Sequence, residues 1–236
     1  MQKRKIVLKI GGSVLYDKDL NVNFGLLRKV KDWYYRTSEE YSQRVLVVGG
    51  GYFSRELQGR ISSEISAEND LHNISMSITQ TSAELVRAYI GDSNIFVPKK
   101  LGDAYEYLVE NNCFSVVSGG LKIGWSTDMD SAVFADIMGV DRIYKISNVD
   151  YLYDVDPDIN ENAKVIKDIS WSGYFSLFGI SKDSVHEPNN SIPVDRECSL
   201  FCSKKGISFL ICGGNNLASS EKNLEEILSD GTLIHP

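Results

Sequence analysis

Three short, largely apolar runs each end in consecutive glycines, and this repeated junction constrains the fold more than any other feature. Ile6-Val7-Leu8 leads through Lys9-Ile10 into Gly11-Gly12-Ser13, Val45-Leu46-Val47-Val48 into Gly49-Gly50-Gly51, and Phe114-Ser115-Val116-Val117 through Ser118 into Gly119-Gly120. A continuous apolar run suits a strand covered on both faces, which is the interior of a parallel sheet. Ligands of open α/β sheets bind at the carboxyl ends of such strands. Taken singly, each junction is compatible with an ordinary tight turn; together they predict one composite ligand site at one sheet edge.

Between the junctions the apolar spacing is helical over Leu20 to Arg36 and from Ser62 to Gly91, with Asp70 as a candidate N-cap. Asn94 to Val97 reads as a strand, Pro98 to Asn111 as a loop and helix, and Arg142 to Ile146 as a further strand. Ser126 or Thr127 is placed to cap a helix over Ser131 to Met138, with Asp128 in its first turn. Pro193-Val194-Asp195 opens a helix to Lys205, Ile207 to Ile211 forms a strand, Glu221 to Leu228 a helix, and Thr232-Leu233-Ile234 a closing strand. Strands alternate with helices and no linker splits the chain, so the expected fold is α/β: a three-layer αβα sandwich around a mainly parallel sheet. The segment from Pro157 to Pro188 is polar and aromatic by turns and reads as a flexible flap, with no role assignable to His186.

Composition narrows the chemistry. A net charge of −7 without a Lys/Arg block argues against nonspecific nucleic-acid binding. The apolar run behind the basic Met1 to Lys5 is too short for a signal peptide or membrane span. Cys113, Cys198, Cys202 and Cys212 have no partner spacing for a zinc set, and His72, His186 and His235 are too scattered for a triad or metal site. Reduced thiols and the absence of a membrane segment point to the cytoplasm.

Phosphate chemistry fits what remains. Backbone approaches an anion closely only where no Cβ intrudes, so the Gly11-Gly12-Ser13 loop suits a phosphate, with Lys9 as a cation for a transferring phosphoryl group. Asp128 falls at the same edge, where it either complements the helix dipole or organises the site. Ser147, Asn148 and Tyr153 crowd the exit of the Arg142 strand, a mix suited to a purine nucleotide or to an Asx-type turn closed by Asp156-Pro157. The P-loop string, the dinucleotide Gly-x-Gly-x-x-Gly opening and the nucleophile elbow are all missing.

Lys9 to Ser13, Val47 to Gly51, Ser126-Thr127-Asp128, Asn148-Val149-Asp150 with Tyr153 and Asp156-Pro157, Pro193 to Asp195, and Gly231 to Ile234 occur in an order that resembles the amino acid kinase superfamily. The pattern is most similar to the archaeal-type uridylate kinase branch. The resemblance implies a single kinase-like domain over 1–236, with an acceptor lobe near 1–118 and an ATP lobe near 119–236, homo-oligomeric assembly as a dimer or hexamer of dimers, and use of ATP with Mg2+. It implies that Lys9 and the Gly11-Gly12 loop stabilise the transferring group and that Asp128 organises catalytic groups; no residue is singled out as a metal ligand. Gly51 and Arg55 would face the phosphates, Ser147, Asn148, Tyr153 and Asp156 would hold ATP, and Gly50, Trp125, Ser126 and Thr127 would meet the acceptor.

Departures concentrate in the acceptor half. Uridylate kinases of this branch carry an Asp ahead of the second helix and an Arg in an Ile-Thr-Arg string; here the region is Asp70-Leu71-His72, with His72 in register, and the string is Ile78-Thr79-Gln80. Asp70, His72 and Gln80 are therefore candidate acceptor contacts, and the acceptor is UMP or a relative. Two alternatives follow: a kinase for a non-nucleotide phosphate such as isopentenyl phosphate, disfavoured because that branch has His where Arg55 stands, and a non-catalytic nucleotide- or oxyanion-binding relative, disfavoured by Lys9 and Asp128.

Overall fold

The computed structural model describes residues 3–155, 160–181, 192–214 and 221–236. The elements in chain order are β1 (Arg4–Ile10), α1 (Gly12–Leu15), α2 (Phe24–Arg36), β2 (Tyr41–Val48), α3 (Gly51–Ile61), α4 (Glu68–Ile90), α5 (Leu101–Glu110), β3 (Phe114–Ser118) and α6 (Thr127–Met138). They continue as β4 (Arg142–Ser147), β5 (Leu152–Tyr153), β6 (Val165–Ile166), β7 (Asp168–Ser170), α7 (Trp171–Leu177), α8 (Arg196–Lys205), β8 (Ser208–Gly213), α9 (Leu224–Ile227) and β9 (Thr232–His235).

Seven strands form one sheet in the order β3-β2-β1-β4-β8-β9-β7. The first five in that order are mutually parallel, and β9 runs antiparallel to β8. The exits of β1, β2, β3, β4 and β8 therefore share one edge, which carries the glycines. Strand alternation divides the core. Ile6, Leu8 and Ile10 face a layer containing α2 and α4, while Val7, Val45 and Val47 face a layer containing α6 and α8. Both faces are covered, which gives the three-layer αβα arrangement and explains the uninterrupted apolar runs.

Several expected elements differ. Asn94 to Val97 makes only one bridge, Phe96 to Val116, because an Asp92–Asn94 turn precedes it and Pro98, lacking an N–H, follows. The helical stretch from Ser62 begins only at Glu68; Ala67 is the N-cap and Asp70 lies in the first turn, so Asp70 is not the cap. The proposed flap is ordered structure where it is described: β7 extends the sheet edge alongside β9, and α7 buries Trp171 and Tyr174. The Trp171 indole donates to the Ile207 carbonyl, and the Tyr174 hydroxyl bonds both the Val194 carbonyl and amide, so this segment is pinned. Asp156, Pro157, His186 and Pro188 lie outside the described residues.

Candidate active site

The centre of the site follows from register. β1 and β4 are adjacent and parallel, with Lys9 opposite Lys145, so both side chains project from the same face, towards α6. Asp128 enters between them from the first turn of α6. Its Oδ1 lies 3.1 Å from the Lys9 ammonium and its Oδ2 accepts from Lys145 at 2.5 Å. All three residues are buried, at 7% exposure each. Burial pulls the Lys9 pKa down against the opposing pull of Asp128. Burial pushes Asp128 up, but the charges of Lys145 and Lys9 more than offset this and hold it below the usual carboxylate value. The carboxylate is thus ionised and fixed between two cations. Oδ2 accepts from Lys145, whereas Oδ1 lies within ion-pair distance of Lys9 but takes no hydrogen bond among the described residues. No cluster of metal-ligating residues occurs among the described residues.

Glycine loops roof this cluster. The β1–α1 and β2–α3 loops touch backbone to backbone: a Cβ on Gly12 would lie 2.0 Å from the Gly51 nitrogen, and Gly51 itself adopts φ +55°. No other residue type permits this contact. The loops enclose a cavity of about 270 Å³ lined by Lys9, Gly11 to Ser13, Gly49 to Gly51, Arg55, Thr127, Lys145 and Ser147 to Val149. Arg55 is aimed by a 3.0 Å bond to the Ser13 hydroxyl and by stacking over Tyr52. Cations, backbone amides and small side chains with no competing anion except the paired Asp128 suit a chain of phosphates.

A second cavity, of about 350 Å³, opens on the other side of Thr127 and is lined by His72, Met76, Thr79, Lys122 and Trp125 among others. Lys122 covers the Trp125 ring at 4.3 Å. The Gly120 amide donates to the Thr79 hydroxyl at 2.7 Å, fixing the loop that forms the floor. Thr127 lines both cavities. Beside it the Ser126 hydroxyl caps α6, accepting from the Met129 amide, and donates to Asp195, which caps α8. The starts of the two helices are therefore latched together at the site.

The structure brings together Lys9, Gly11, Gly12, Ser13, Gly50, Gly51, Arg55, Thr127, Ser147 and Asn148 on one cavity, with Asp128 behind it, and His72, Trp125, Ser126 and Thr127 on the other. Asp70, Gln80 and Tyr153 line neither. Asp70 is exposed, and the Gln80 amide instead ties α4 to the carbonyls of Lys99 and Gly120. Tyr153 pairs with Val165 in a two-stranded ribbon. Asp156 lies outside the described residues. Lys145 and Asp130 were missed by reading the sequence. The signal for Lys145 was present, since a lysine inside Ile143-Tyr144-Lys145-Ile146 must be buried by the same logic that buries Lys9. Asp130 is 1% exposed with no hydrogen-bond partner for either oxygen among the described residues, and burial raises its pKa to about 8. The backbone of Leu121 opposes that rise and the charge of Asp195 adds to it.

Similarity to known proteins accords with this geometry. A uridylate kinase of Thermococcus sibiricus is 30% identical over 233 residues, spanning 98% of this chain and 100% of that protein. One of Methanobrevibacter smithii is 31% identical over 179 residues, 71% of this chain and 72% of the relative. Among solved structures, UMP kinase from Ureaplasma parvum superposes with a TM-score of 0.75 at 20% identity over the whole of both chains. Uridylate kinase from Archaeoglobus fulgidus gives 0.75 at 22% identity, covering 98% of this chain and 100% of the other. The sequence profile of the amino acid kinase family matches residues 4–213, and with these relatives it establishes that the chain belongs to the amino acid kinase family.

Proposed function

We propose that this chain is an ATP-dependent nucleoside monophosphate kinase of the uridylate kinase type, moving the γ-phosphoryl group of ATP to the phosphate of UMP or a close relative. The observation that carries this reading is that two cavities share Thr127, one of them lined by Lys9 of the buried Lys9–Asp128 pair. One cavity has the cations and amides for a polyphosphate; the other has the aromatic and polar lining for an acceptor. The names of the relatives, uridylate kinase over nearly the full length, support the same assignment.

The chain's residues do this work by positioning. The β–γ bridge of ATP lies under the Gly11 to Ser13 and Gly49 to Gly51 amides, with Arg55 and Lys9 facing the phosphate oxygens. Lys9 neutralises charge on the group in transit, and Asp128 keeps that ammonium aimed while remaining ionised. The acceptor is a phosphate oxygen, already anionic, so no general base is required. Mg2+ bound with ATP would supply further charge neutralisation, while Lys9 and Arg55 would face the phosphate oxygens. Ser147 and Asn148 hold the nucleotide of ATP, with Tyr153 and Asp156 proposed on resemblance, while Gly50, His72 and Trp125 meet the acceptor. An acceptor-binding lobe near 1–118 and an ATP-binding lobe near 119–236 are proposed on resemblance, although the two cavities draw lining residues from both. Homo-oligomeric assembly and a cytoplasmic location are proposed on the same resemblance; no described helix is long and apolar enough to cross a membrane.

ADP release measured across UMP, CMP, other nucleoside monophosphates and isopentenyl phosphate tests the reading, which fails if no nucleotide supports turnover. Isopentenyl phosphate is included because no Arg, Asp or Glu lines the described acceptor cavity, whereas Met76 and Trp125 do. Faster turnover of that substrate than of UMP would replace the first reading with the second.

A further inference from the structure

Asp130 has no task in the transfer chemistry, yet its position is costly. It is 1% exposed, and neither carboxyl oxygen has a hydrogen-bond partner among the described residues. An apolar side chain would fill the same space without an unpaired polar group. The surroundings tie this acid to the acceptor cavity. Oδ2 lies 3.8 Å from where a Cβ on Gly120 would stand, beside Met76 and the Thr79 hydroxyl, and Met76, Thr79 and Gly120 all line that cavity. The loop is pressed onto α4: a Cβ on Gly119 would lie 2.4 Å from the Thr79 carbonyl carbon, the Gly120 amide donates to Thr79 at 2.7 Å, and the Gly120 carbonyl accepts from Gln80 at 3.1 Å. Asp130 therefore stands where α4, α6 and the loop meet. As a neutral acid it fits this buried junction. As a carboxylate it must draw in water or turn towards itself the Leu121 backbone, which already favours the charged form. Either response moves the cavity floor.

Burial raises the Asp130 pKa to about 8, and the charge of Asp195, at the start of α8, adds to the effect. Asp128, two residues earlier on α6, is compensated by Lys9 and Lys145. From α4 the facing groups are the uncharged Met76 and Thr79, with His72 one turn further back on the cavity wall. From the loop they are backbone, with Lys122 beyond it covering Trp125. We propose that Asp130 is a positioning residue of the acceptor cavity, holding the Gly119–Leu121 loop against α4 as a neutral acid and loosening it as a carboxylate. Resting on the reading of that cavity as the acceptor site, this gives phosphoryl transfer a dependence on pH that enters through acceptor binding. The phosphate cavity shares none of Met76, Thr79 and Gly120, so ATP binding is left in place.

The test uses the full chain as wild type and as Asp130→Asn, which keeps the shape of the neutral acid and cannot ionise. ADP release gives the KM for UMP and for ATP at intervals between about pH 6.5 and 9.5, a window that brackets the charge change. In the wild type the UMP KM should rise about tenfold on the alkaline side of the window while the ATP KM stays nearly constant; in Asp130→Asn the alkaline rise should be absent. Comparing the two proteins at each pH cancels titration of the nucleotides themselves. Parallel UMP profiles in the two proteins would overturn the proposal, as would a rise confined to ATP. A second readout needs neither turnover nor ligand. In ¹⁵N-glycine spectra of the wild type, the Gly119 and Gly120 resonances should move with a common midpoint near 8 and stay fixed in Asp130→Asn. Fixed resonances in the wild type, or the same movement in the variant, would overturn the proposal. Absence of transfer to every acceptor by the wild type refutes the phosphotransfer reading, while the glycine resonances still decide whether Asp130 governs the loop.

Discussion

Replacing Asp130 by Asn should stabilise the protein, and by an amount that grows with pH. Asp130 sits in the first turn of α6, buried against the Gly119–Leu121 loop, with its pKa raised to about 8 from 3.8, chiefly by burial and further by Asp195. Between those values the folded chain holds a proton that the unfolded chain has released. The unfolded state then binds fewer protons, so stability falls as pH rises from about 4 to about 8. At 1.36 kcal/mol per unit, a shift of roughly 4 units sets a ceiling of about 6 kcal/mol at pH 8. Local relaxation and water entry bring the realised cost of such a group to about 1–3 kcal/mol. Asn carries no charge at any pH in this range and stands in for the protonated acid. Thermal unfolding of both proteins from pH 4.5 to 8.5 should show near-equal Tm at the acid end and a gap opening to about 4–8 °C at the alkaline end, for a change of ~2 kcal/mol in a chain of this size. Parallel curves, with the gap independent of pH, would show that Asp130 is ionised and satisfied in the fold and would refute the reasoning.

Gly12→Ala places a methyl 2.0 Å from the Gly51 nitrogen, so the two loops must part; phosphoryl transfer should fall by about 10²-fold or more with a loss of ATP affinity, read by calorimetry and ADP release. Trp171→Ala removes a fully buried indole and its bond to Ile207, and should lower stability by about 3–5 kcal/mol in denaturant unfolding; a loss under 1 kcal/mol would show that α7 is not part of the core. His72→Ala alters the acceptor cavity alone, so the acceptor KM should rise several-fold while the KM for ATP stays put; a change confined to ATP would place the acceptor elsewhere.

Much of this architecture was legible because its physics is local. Apolar runs buried on both faces are visible as such, and a glycine pair at a strand exit announces a close backbone approach, which Gly12 and Gly51 make across two loops. Helix starts with a good cap were equally readable: Ser126 and Asp195 both accept from the third residue of the helices they open. Where no side chain caps the helix, as at Ala67, the boundary could not be read and Asp70 was misassigned. The β7–α7 segment was illegible because strands of two or three residues carry no periodicity, and their order comes from tertiary bonds such as Tyr174 to Val194. The burial of Lys145 could be read from its apolar strand, but its pairing could not. Its partner Asp128 lies 17 residues away, and only the β1–β4 register reveals that the lysine stands beside Lys9. Acceptor contacts were the hardest, since Gln80, suggestive in the sequence, is occupied with two backbone carbonyls.

The central claim is that Lys9, held by Asp128 and lining the phosphate cavity, assists transfer of a phosphoryl group from ATP to a nucleoside monophosphate. Incubation of the purified chain with γ-³²P-labelled ATP and UMP, alongside Lys9→Met, tests it most directly. The account predicts that label appears in UDP with the wild type and that the variant, folded by its unfolding curve, is slower by about 10²-fold or more. Label released only as inorganic phosphate, or equal UDP formation by the two proteins, would contradict it.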